Sequence, residues 1–286
     1  MAAILSTRMI RTLAGNGEPG CTGDGGPSMQ GCLNEPKGVT VDCHGNVYVA
    51  DSENHLVRKV DRATGMLSTV AGTFGGEHLH AAVQRDAPVP LTDEDPLADD
   101  AGERSSAKFT QQADVSGTVR YWTNHTAASS KRYGGDGGPA VSAHLNFPTA
   151  VVVDREGNLY IADTMNHRVR MVDAETGIMS TVAGTGQARF SGDGGPANQA
   201  ALNEPAALAI DDAGRLYIAD QSNHRVRMVD LKTGVIRTIA GNGIATYDGD
   251  GKRAIEIALA GPSGLALVAD RLYVADTFNG RVRCIE

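Results

Sequence analysis

Internal repetition constrains this chain more than any other feature, because self-similarity at a fixed period is the mark of a repeat architecture. Four segments of the 286-residue sequence align closely. The first reads LNEPKGVTVDCHGNVYVADSENHLVRKVDRATGMLSTVAG from Leu33, and the others begin at Leu145, Leu202 and Leu259. The fourth copy reaches Glu286 before its last alternating run.

Each copy predicts four short strands, which we name a to d. Apolar and polar residues alternate over four runs, which in the first copy are VTV, VYVAD, LVRKVD and LSTVAG. This alternation is typical of antiparallel strands, and pairs such as His44-Gly45 and Thr64-Gly65 supply tight turns. A lone sheet with two apolar faces cannot bury itself, so the copies must stack around an axis. The sequence therefore predicts an all-β fold, a β-propeller whose blades are four-stranded antiparallel sheets.

The spacing of the copies predicts the number of blades. The repeated asparagines Asn54, Asn166, Asn223 and Asn279 lie at intervals of 112, 57 and 56 residues. Because 112 is twice 56, we expect a degenerate second blade over about 77–124 and a five-bladed propeller in a single domain, 1–286. We expect the regular blades at 33–73, 145–185, 202–242 and 259–286.

The two ends of the sequence predict how the ring closes. Residues 9–15 read MIRTLAG and match VIRTIAG at 235–241, which is the strand d of the third regular copy. The fourth copy lacks a strand d of its own. We therefore expect the N-terminal strand to complete the last blade, which would remove an exposed sheet edge.

The segment between the first two copies is unlike the rest of the chain. Residues 77–116 carry nine acids and three bases, a net charge of -6 out of -8 for the whole chain. The composition also permits a disordered acidic insertion over 77–107 instead of a degenerate blade. In a blade, His78 and His80 would point the same way from one strand and could hold a divalent metal such as calcium or zinc. The alternative is a solvated loop with two ordinary histidines.

Charge and composition limit the classes of binding partner that this chain is expected to have. The chain has 34 acidic and 26 basic side chains, which opposes nucleic-acid binding. No apolar run reaches the length of a membrane span and no signal peptide is recognisable, so we expect no membrane partner and a cytoplasmic protein. No Walker loop, G-x-S-x-G elbow, H-E-x-x-H or Rossmann fingerprint is present in the sequence.

The repeated motif GNLYIADTMNHRVRMVD and the GDGGP loop at 135–139 resemble those of the NHL-repeat β-propellers. That family is named for the tripeptide that stands here as Asn54-His55-Leu56. Its members commonly have six blades, whereas the spacing here predicts five. The resemblance implies an interaction module, and some NHL-like propellers resemble metal-dependent lyases and lactone hydrolases.

Residues that repeat identically in every copy predict scaffold, because a site needs asymmetry. We expect the aspartates that end strand b and the histidines that follow to form hydrogen bonds within their own blade. We expect the strand-c arginines to pair with acids between blades. These residues are Asp51, Asp163, Asp220 and Asp276; His55, His167 and His224; and Arg170, Arg227 and Arg283.

Residues that differ between copies at fixed positions predict the functional site. The d–a and b–c connections share one end of the blades, because four antiparallel strands alternate in direction. Loops on a rigid scaffold are where binding residues concentrate. Just before strand a stand Glu35, Phe147, Glu204 and Gly261, and in the b–c loops stand Glu53, Met165, Ser222 and Phe278. This mixture of carboxylates and apolar side chains predicts a channel-mouth site for a small molecule or peptide.

Two other function classes remain open. A metal-assisted lyase or a lactone or ester hydrolase would use Glu35 or Glu204 as the catalytic base, with His78 and His80 as metal ligands. A docking platform would present the same face to a protein partner. The plainest alternative is a solvated rim with no binding role.

Overall fold

The computed structural model describes residues 10–73 and 133–286. These residues belong to one compact unit. They contain fifteen strands, arranged in four antiparallel sheets, and seven short 3-10 helices. No helix in the described part of the chain is long and apolar enough to cross a membrane.

The four sheets follow the four sequence copies. Sheet 1 consists of β1 (Pro36–Val41), β2 (Val47–Asp51), β3 (Leu56–Val60) and β4 (Leu67–Ala71). Sheet 2 consists of β5 (Pro148–Val153), β6 (Leu159–Asp163), β7 (Arg168–Val172) and β8 (Met179–Ala183). Sheet 3 consists of β9 (Pro205–Ile210), β10 (Arg215–Asp220), β11 (Arg225–Asp230) and β12 (Val235–Ala240). Sheet 4 has three strands, β13 (Pro262–Val268), β14 (Arg271–Asp276) and β15 (Arg281–Ile285).

The 3-10 helices lie before strand a and in the b–c turns. Their bounds are Ser28–Gln30, Ala140–Ser142, Thr164–Asn166, Ala197–Gln199, Gln221–Asn223, Ala254–Glu256 and Thr277–Asn279. Strands within each sheet follow chain order, as the alternating pattern predicts.

The a–b hairpins form because their aspartates cap the turn. In sheet 2 the Asn158 backbone N–H donates to Asp154 Oδ1 at 2.8 Å, and Asn158 Nδ2 donates to Asp154 Oδ2 at 2.9 Å. Gly157 between them has a φ of 91°, a left-handed conformation that favours glycine. Asp42, Gly45 and their neighbours form the same turn in sheet 1. Local side-chain hydrogen bonds therefore specify the hairpin.

Apolar side chains fill the spaces between consecutive sheets. In sheet 2, Leu159 and Ile161 point towards sheet 1, whereas Tyr160 and Ala162 point towards sheet 3. We call the side that packs on the preceding sheet the leading face and the other side the trailing face. A third cluster joins the trailing face of sheet 3 to sheet 4. Each interface buries one face of each of two consecutive sheets, which is how a propeller forms its core.

Sheets 1 and 2 are direct neighbours. Ser52 Oγ donates to the carbonyl oxygen of Pro148 at 2.6 Å, and the Phe147 backbone N–H donates to His55 Nδ1 at 2.9 Å. The trailing face of sheet 1 is thus already covered, so an interval of 112 residues does not correspond to two positions in the ring. The prediction of a degenerate second blade between these sheets, and with it the count of five, is wrong. The segment 77–124 itself lies outside the described residues.

Among the described residues, those from Ile10 to Gly15 do not complete sheet 4. Residues 10–15 form no strand. The Gly15 N–H donates to the carbonyl oxygen of Ser28 at 3.0 Å, and the Asn16 N–H donates to that of Gly31 at 2.9 Å. The described part of the predicted closing strand therefore lies against the loop that leads into sheet 1, and the predicted pairing with the last blade is wrong.

The position of this segment nevertheless explains its sequence match. After β12, the Gly241 N–H donates to Ala254 O at 2.9 Å and the Asn242 N–H donates to Ile257 O at 2.9 Å. The N-terminal segment makes the same two contacts with the repeat that follows it. It therefore meets sheet 1 as the end of a strand d meets the next blade.

Candidate functional site

One end of the sheets carries the positions that vary between repeats. We call these residues the loop face: Glu35, Glu53, Phe147, Met165, Glu204, Ser222, Gly261 and Phe278. Backbone hydrogen bonds hold each b–c turn beside its strand a, since the Met165 N–H donates to Asn146 O at 3.1 Å and the Ser222 N–H donates to Asn203 O at 3.1 Å. The predicted meeting of the d–a and b–c connections at one end is confirmed.

The residue just before strand a has an unusual backbone conformation in every described repeat. The φ angles of Glu35, Phe147, Glu204 and Gly261 are 48°, 53°, 53° and 59°. Such a conformation is costly for bulky side chains and persists only where the surroundings impose it. The scaffold therefore dictates this backbone and leaves the side chain free to change.

Histidines from the preceding blade hold this conformation in place. His55 Nδ1 accepts the N–H of Phe147, His167 Nδ1 accepts that of Glu204 at 3.1 Å, and His224 Nδ1 accepts that of Gly261 at 3.1 Å. We predicted that these histidines bond within their own blade, and this is wrong. Sequence order could not show it, because the acceptor and its donor are 37 residues apart in two of the three pairs.

Burial favours the neutral form of two of these histidines, which is the form that accepts a hydrogen bond. Burial lowers the pKa of His167 and of His224 below the ordinary value. A neutral imidazole keeps a lone pair with which to accept a hydrogen bond, whereas a protonated ring cannot accept one. The histidines that link consecutive blades are therefore held in the form that the link needs.

Some side chains of the loop face contact one another or share a neighbouring residue. Ser222 Oγ donates to Glu204 Oε2 at 2.7 Å. Lys37, which sequence reasoning missed, lies 3.4 Å from Glu35 Oε2, and its ammonium stands 5.2 Å from the centre of the Phe147 ring. Lys37 thus joins the first and second repeats. Its position, next after the strand-a proline, also varies between copies and could have indicated it.

The remaining loop-face residues have other surroundings. A Cβ added to Gly261 would lie 2.4 Å from the ring of Phe278, so that ring covers the glycine. Phe278 is 74% exposed. The Glu53 N–H donates to Asn34 O at 3.2 Å, as in the other repeats. Glu35 and Glu204, the two predicted catalytic carboxylates, have different partners, Lys37 and Ser222.

A buried polar network beneath the loop face is the same in each repeat. In sheet 2, Asp163 accepts the Asn146 N–H at 2.7 Å and Asn166 Nδ2 at 2.9 Å, and lies 3.3 Å from Arg170. Arg170 also pairs with Asp136 of the GDGGP loop at 2.6 Å. Burial raises the pKa of Asp163 to about 6. The aspartate prediction is confirmed, but the arginine pairs with acids of its own repeat, so the predicted pairing between blades is wrong.

A second arginine in each of three repeats stacks on an aromatic ring. The Arg168 guanidinium lies 3.8 Å from the centre of the Tyr133 ring, and its Nη1 donates to the carbonyl oxygen of Gly184 at 2.8 Å. Arg225 on Phe190 and Arg281 on Tyr247 repeat this stack. The first repeat has Leu56 and Cys21 at these positions. Both partners change together, which marks the stack as a structural unit.

The described residues hold no group of three or more histidine, cysteine, aspartate or glutamate side chains that could bind a metal. The predicted metal ligands His78 and His80, and the alternative insertion at 77–107, lie outside the described residues. Cavities of about 540, 640 and 230 Å³ are lined by sheet edges and by turns at the other end, with none of the loop-face residues.

The repeats define a β-propeller of small antiparallel sheets. Comparison with known proteins identifies the family to which this propeller belongs. The NHL repeat model matches residues 33–60, and the teneurin NHL domain model matches residues 119–191 and 186–247. The chain belongs to the NHL-repeat β-propeller family.

Several curated proteins are similar in sequence. The chloroplastic protein SUPPRESSOR OF QUENCHING 1 of Arabidopsis thaliana is 28% identical over 240 residues, which cover 79% of this chain and 22% of that protein. NHL repeat-containing protein 2 of Gallus gallus is 25% identical, covering 82% of this chain and 44% of that protein. Teneurin-1 of Gallus gallus is 29% identical, and the match covers 72% of this chain and 8% of that protein. The chain thus spans less than half the length of these relatives.

Solved structures share the fold. An auxiliary nutrient binding protein of Bacteroides thetaiotaomicron superposes with a TM-score of 0.54 at 16% identity, over 88% of this chain and 48% of that one. An auxiliary nutrient binding protein of Bacteroides ovatus gives a TM-score of 0.52 at 19% identity, over 89% of this chain and 49% of that one. Likeness at this identity establishes the architecture alone.

Proposed function

We propose that the loop face binds a small molecule or peptide. One observation carries the proposal: side chains as unlike as Glu35, Phe147 and Glu204 stand on nearly identical left-handed backbones, each just before a strand a. The same histidine link holds Phe147 and Glu204, so the scaffold does not account for the difference between these two side chains. Residues that a rigid scaffold presents but does not specify are suited to ligand contact.

The chemistry of the loop face favours a ligand with a cationic group beside an apolar one. Glu35, Glu53 and Glu204 supply three carboxylates against the one ammonium of Lys37, which pairs with Glu35. Phe147 and Phe278 supply aromatic surface. Charged pairs fix the orientation of a ligand, while apolar contacts supply much of the binding free energy. A basic peptide or an amino-acid derivative has this combination.

The fold of the Bacteroides nutrient binding proteins is compatible with ligand binding but does not specify a ligand. A catalytic role for Glu35 and Glu204 stays a prediction. Ser222 and Lys37, which contact these two carboxylates, are also expected to orient them for binding.

The test uses a defined panel of free amino acids and of dipeptides that join Lys or Arg to Leu or Phe. Binding is measured by isothermal titration calorimetry to the full chain and to the double variant Glu35→Gln, Glu204→Gln. We expect loss of one carboxylate contact to weaken binding by about tenfold to a hundredfold, since charge-assisted hydrogen bonds contribute about 1.5–3 kcal/mol.

The matched control is Glu156→Gln with Glu175→Gln. Both residues are exposed glutamates in the a–b and c–d turns, at the opposite end of sheet 2. The control variant should bind as the unchanged protein does. Equal affinity of all three proteins for every binder in the panel would contradict the proposal.

A further inference from the structure

The histidine link to Glu204 differs in one respect from the histidine link that follows it in the chain. His167 Nδ1 accepts the Glu204 N–H at 3.1 Å, and His224 Nδ1 accepts the Gly261 N–H at 3.1 Å. Both histidines are half-buried in b–c turns and have left-handed backbones, with φ angles of 53° and 55°. The first link thus ends on a residue that carries a carboxylate, and the second ends on a residue without a side chain.

The Glu204 carboxylate has a hydroxyl partner and an imidazole neighbour. Ser222 Oγ donates to Glu204 Oε2 at 2.7 Å. Burial lowers the pKa of His167, the Glu204 carboxylate raises it and Arg168 lowers it, and the resulting pKa lies below the ordinary value. At neutral pH the ring is therefore uncharged, its Nδ1 holds the Glu204 backbone, and the carboxylate stays with Ser222.

The other charged groups around the two histidines are matched. Arg168 and Arg225 follow the histidines directly, and each lowers the pKa of its neighbour. Asp163 and Asp220 end the preceding strands, and burial raises the pKa of both aspartates. A pH-dependent change that occurs at both histidines therefore reports this shared network, whereas a change confined to His167 reports Glu204.

We propose that His167 is a proton switch that controls the Glu204 carboxylate and, through it, ligand binding at the loop face. When solvent protonates Nδ1, the ring can no longer accept the Glu204 N–H. The imidazolium instead pairs with the Glu204 carboxylate, which leaves Ser222. A cationic group of a ligand then meets a carboxylate that is already paired, so mild acid weakens its binding. This consequence for binding rests on the proposed function, whereas the switch itself does not.

NMR of the histidine rings and of the Glu204 carboxyl carbon tests the switch without a ligand. Between about pH 8 and about pH 5, the carboxyl carbon should shift at the pH at which His167 takes up its proton. Glu204→Gln should lower the pKa of His167, because the attraction to the carboxylate is lost. Ser222→Ala should raise it, because the carboxylate then has no competing hydroxyl. The pKa of His224 is the internal control and should be the same in all three proteins.

A pKa of His167 that is equal in all three proteins, or a pKa of His224 that moves with it, would overturn the proposal. Calorimetry with the dipeptide of lysine and phenylalanine tests the consequence for binding. From about pH 7 to about pH 5, its affinity should fall by a larger factor for the unchanged protein than for Glu204→Gln. An equal fall in both proteins would overturn the control of binding. Absence of binding at either pH, together with the expected NMR shifts, would contradict the proposed function and support the switch.

Discussion

Histidine and aspartate recur in these repeats for different physical reasons. Asp163 satisfies groups of its own blade, whereas His167 reaches the next blade and fixes the backbone of Glu204. The scaffold therefore places a histidine link at the variable positions Phe147, Glu204 and Gly261. Single residues at these links should affect stability and ligand binding differently.

Replacing the linking histidines should lower stability by a modest, additive amount. His167→Asn and His224→Asn keep a residue that tolerates their φ angles of 53° and 55° but shorten the side chain. We expect a loss of about 1 kcal/mol for each link in the free energy of unfolding. Urea denaturation of the single and double variants measures it, and unchanged midpoints would contradict the structural role.

The same histidines should give the protein a distinct pH dependence. Their folded pKa lies below the unfolded value of about 6.5, so the unfolded chain takes up protons first as the pH falls. Their contribution to stability is fully present above about pH 6.5 and is lost as the pH falls through the folded pKa. The difference in melting temperature between the protein and the double variant should therefore shrink between pH 7 and pH 5. A constant difference would show that the links survive protonation.

Replacing a buried arginine should lower the stability of the protein far more than replacing an exposed one. Arg170→Leu leaves Asp163 and Asp136 without their cation, and breaking a buried pair costs about 3–5 kcal/mol. Arg155→Ala removes an exposed pair with Asp212 and should cost at most about 1 kcal/mol. Thermal unfolding of both variants compares the two, and a similar loss in each would contradict the network.

Strands and turns follow from local rules, but the order of sheets does not. Alternating residues and Asp-Gly turns predict each hairpin, and the structure has them where the repeats lie. The interval of 112 residues between Asn54 and Asn166 fits either two ring positions or one position with extra chain. The direct packing of sheet 1 on sheet 2 decides between these two alternatives. The number of residues between two repeats does not determine which sheets pack together.

Gly38 tests this packing at the level of one strand. A Cβ there would lie 2.8 Å from both Ala150 Cα and Thr149 O of sheet 2. Gly38→Ala should therefore destabilise the protein by about 1–3 kcal/mol. Gly264→Ala is the matched control in sheet 4, where the nearest atom is Ala275 Cβ at 3.2 Å. Equal effects of the two substitutions would mean that sheets 1 and 2 are not in direct contact.

At the scale of the whole molecule, the sequence predicted the family and the kind of sheet because both depend on short repeated motifs. It placed the loop-face positions at one end because strand direction alternates. It missed Lys37 and the histidine links because both join residues of different repeats. The exposure of Val39 in sheet 1 and of Val282 in sheet 4 also could not be foreseen, since both resemble buried counterparts in the other sheets.

Amide hydrogen exchange maps the proposed binding of ligand to the loop face directly. The tightest binder from the amino-acid and dipeptide panel is added to the full chain, and exchange is followed by mass spectrometry with and without it. We predict slower exchange in peptides that contain Glu35, Glu53, Phe147 and Glu204. Turns at the other end, 42–46 and 173–177, should be unchanged. Protection confined to those turns or to the edge strand β15, with none at the loop face, would contradict ligand binding at the loop face.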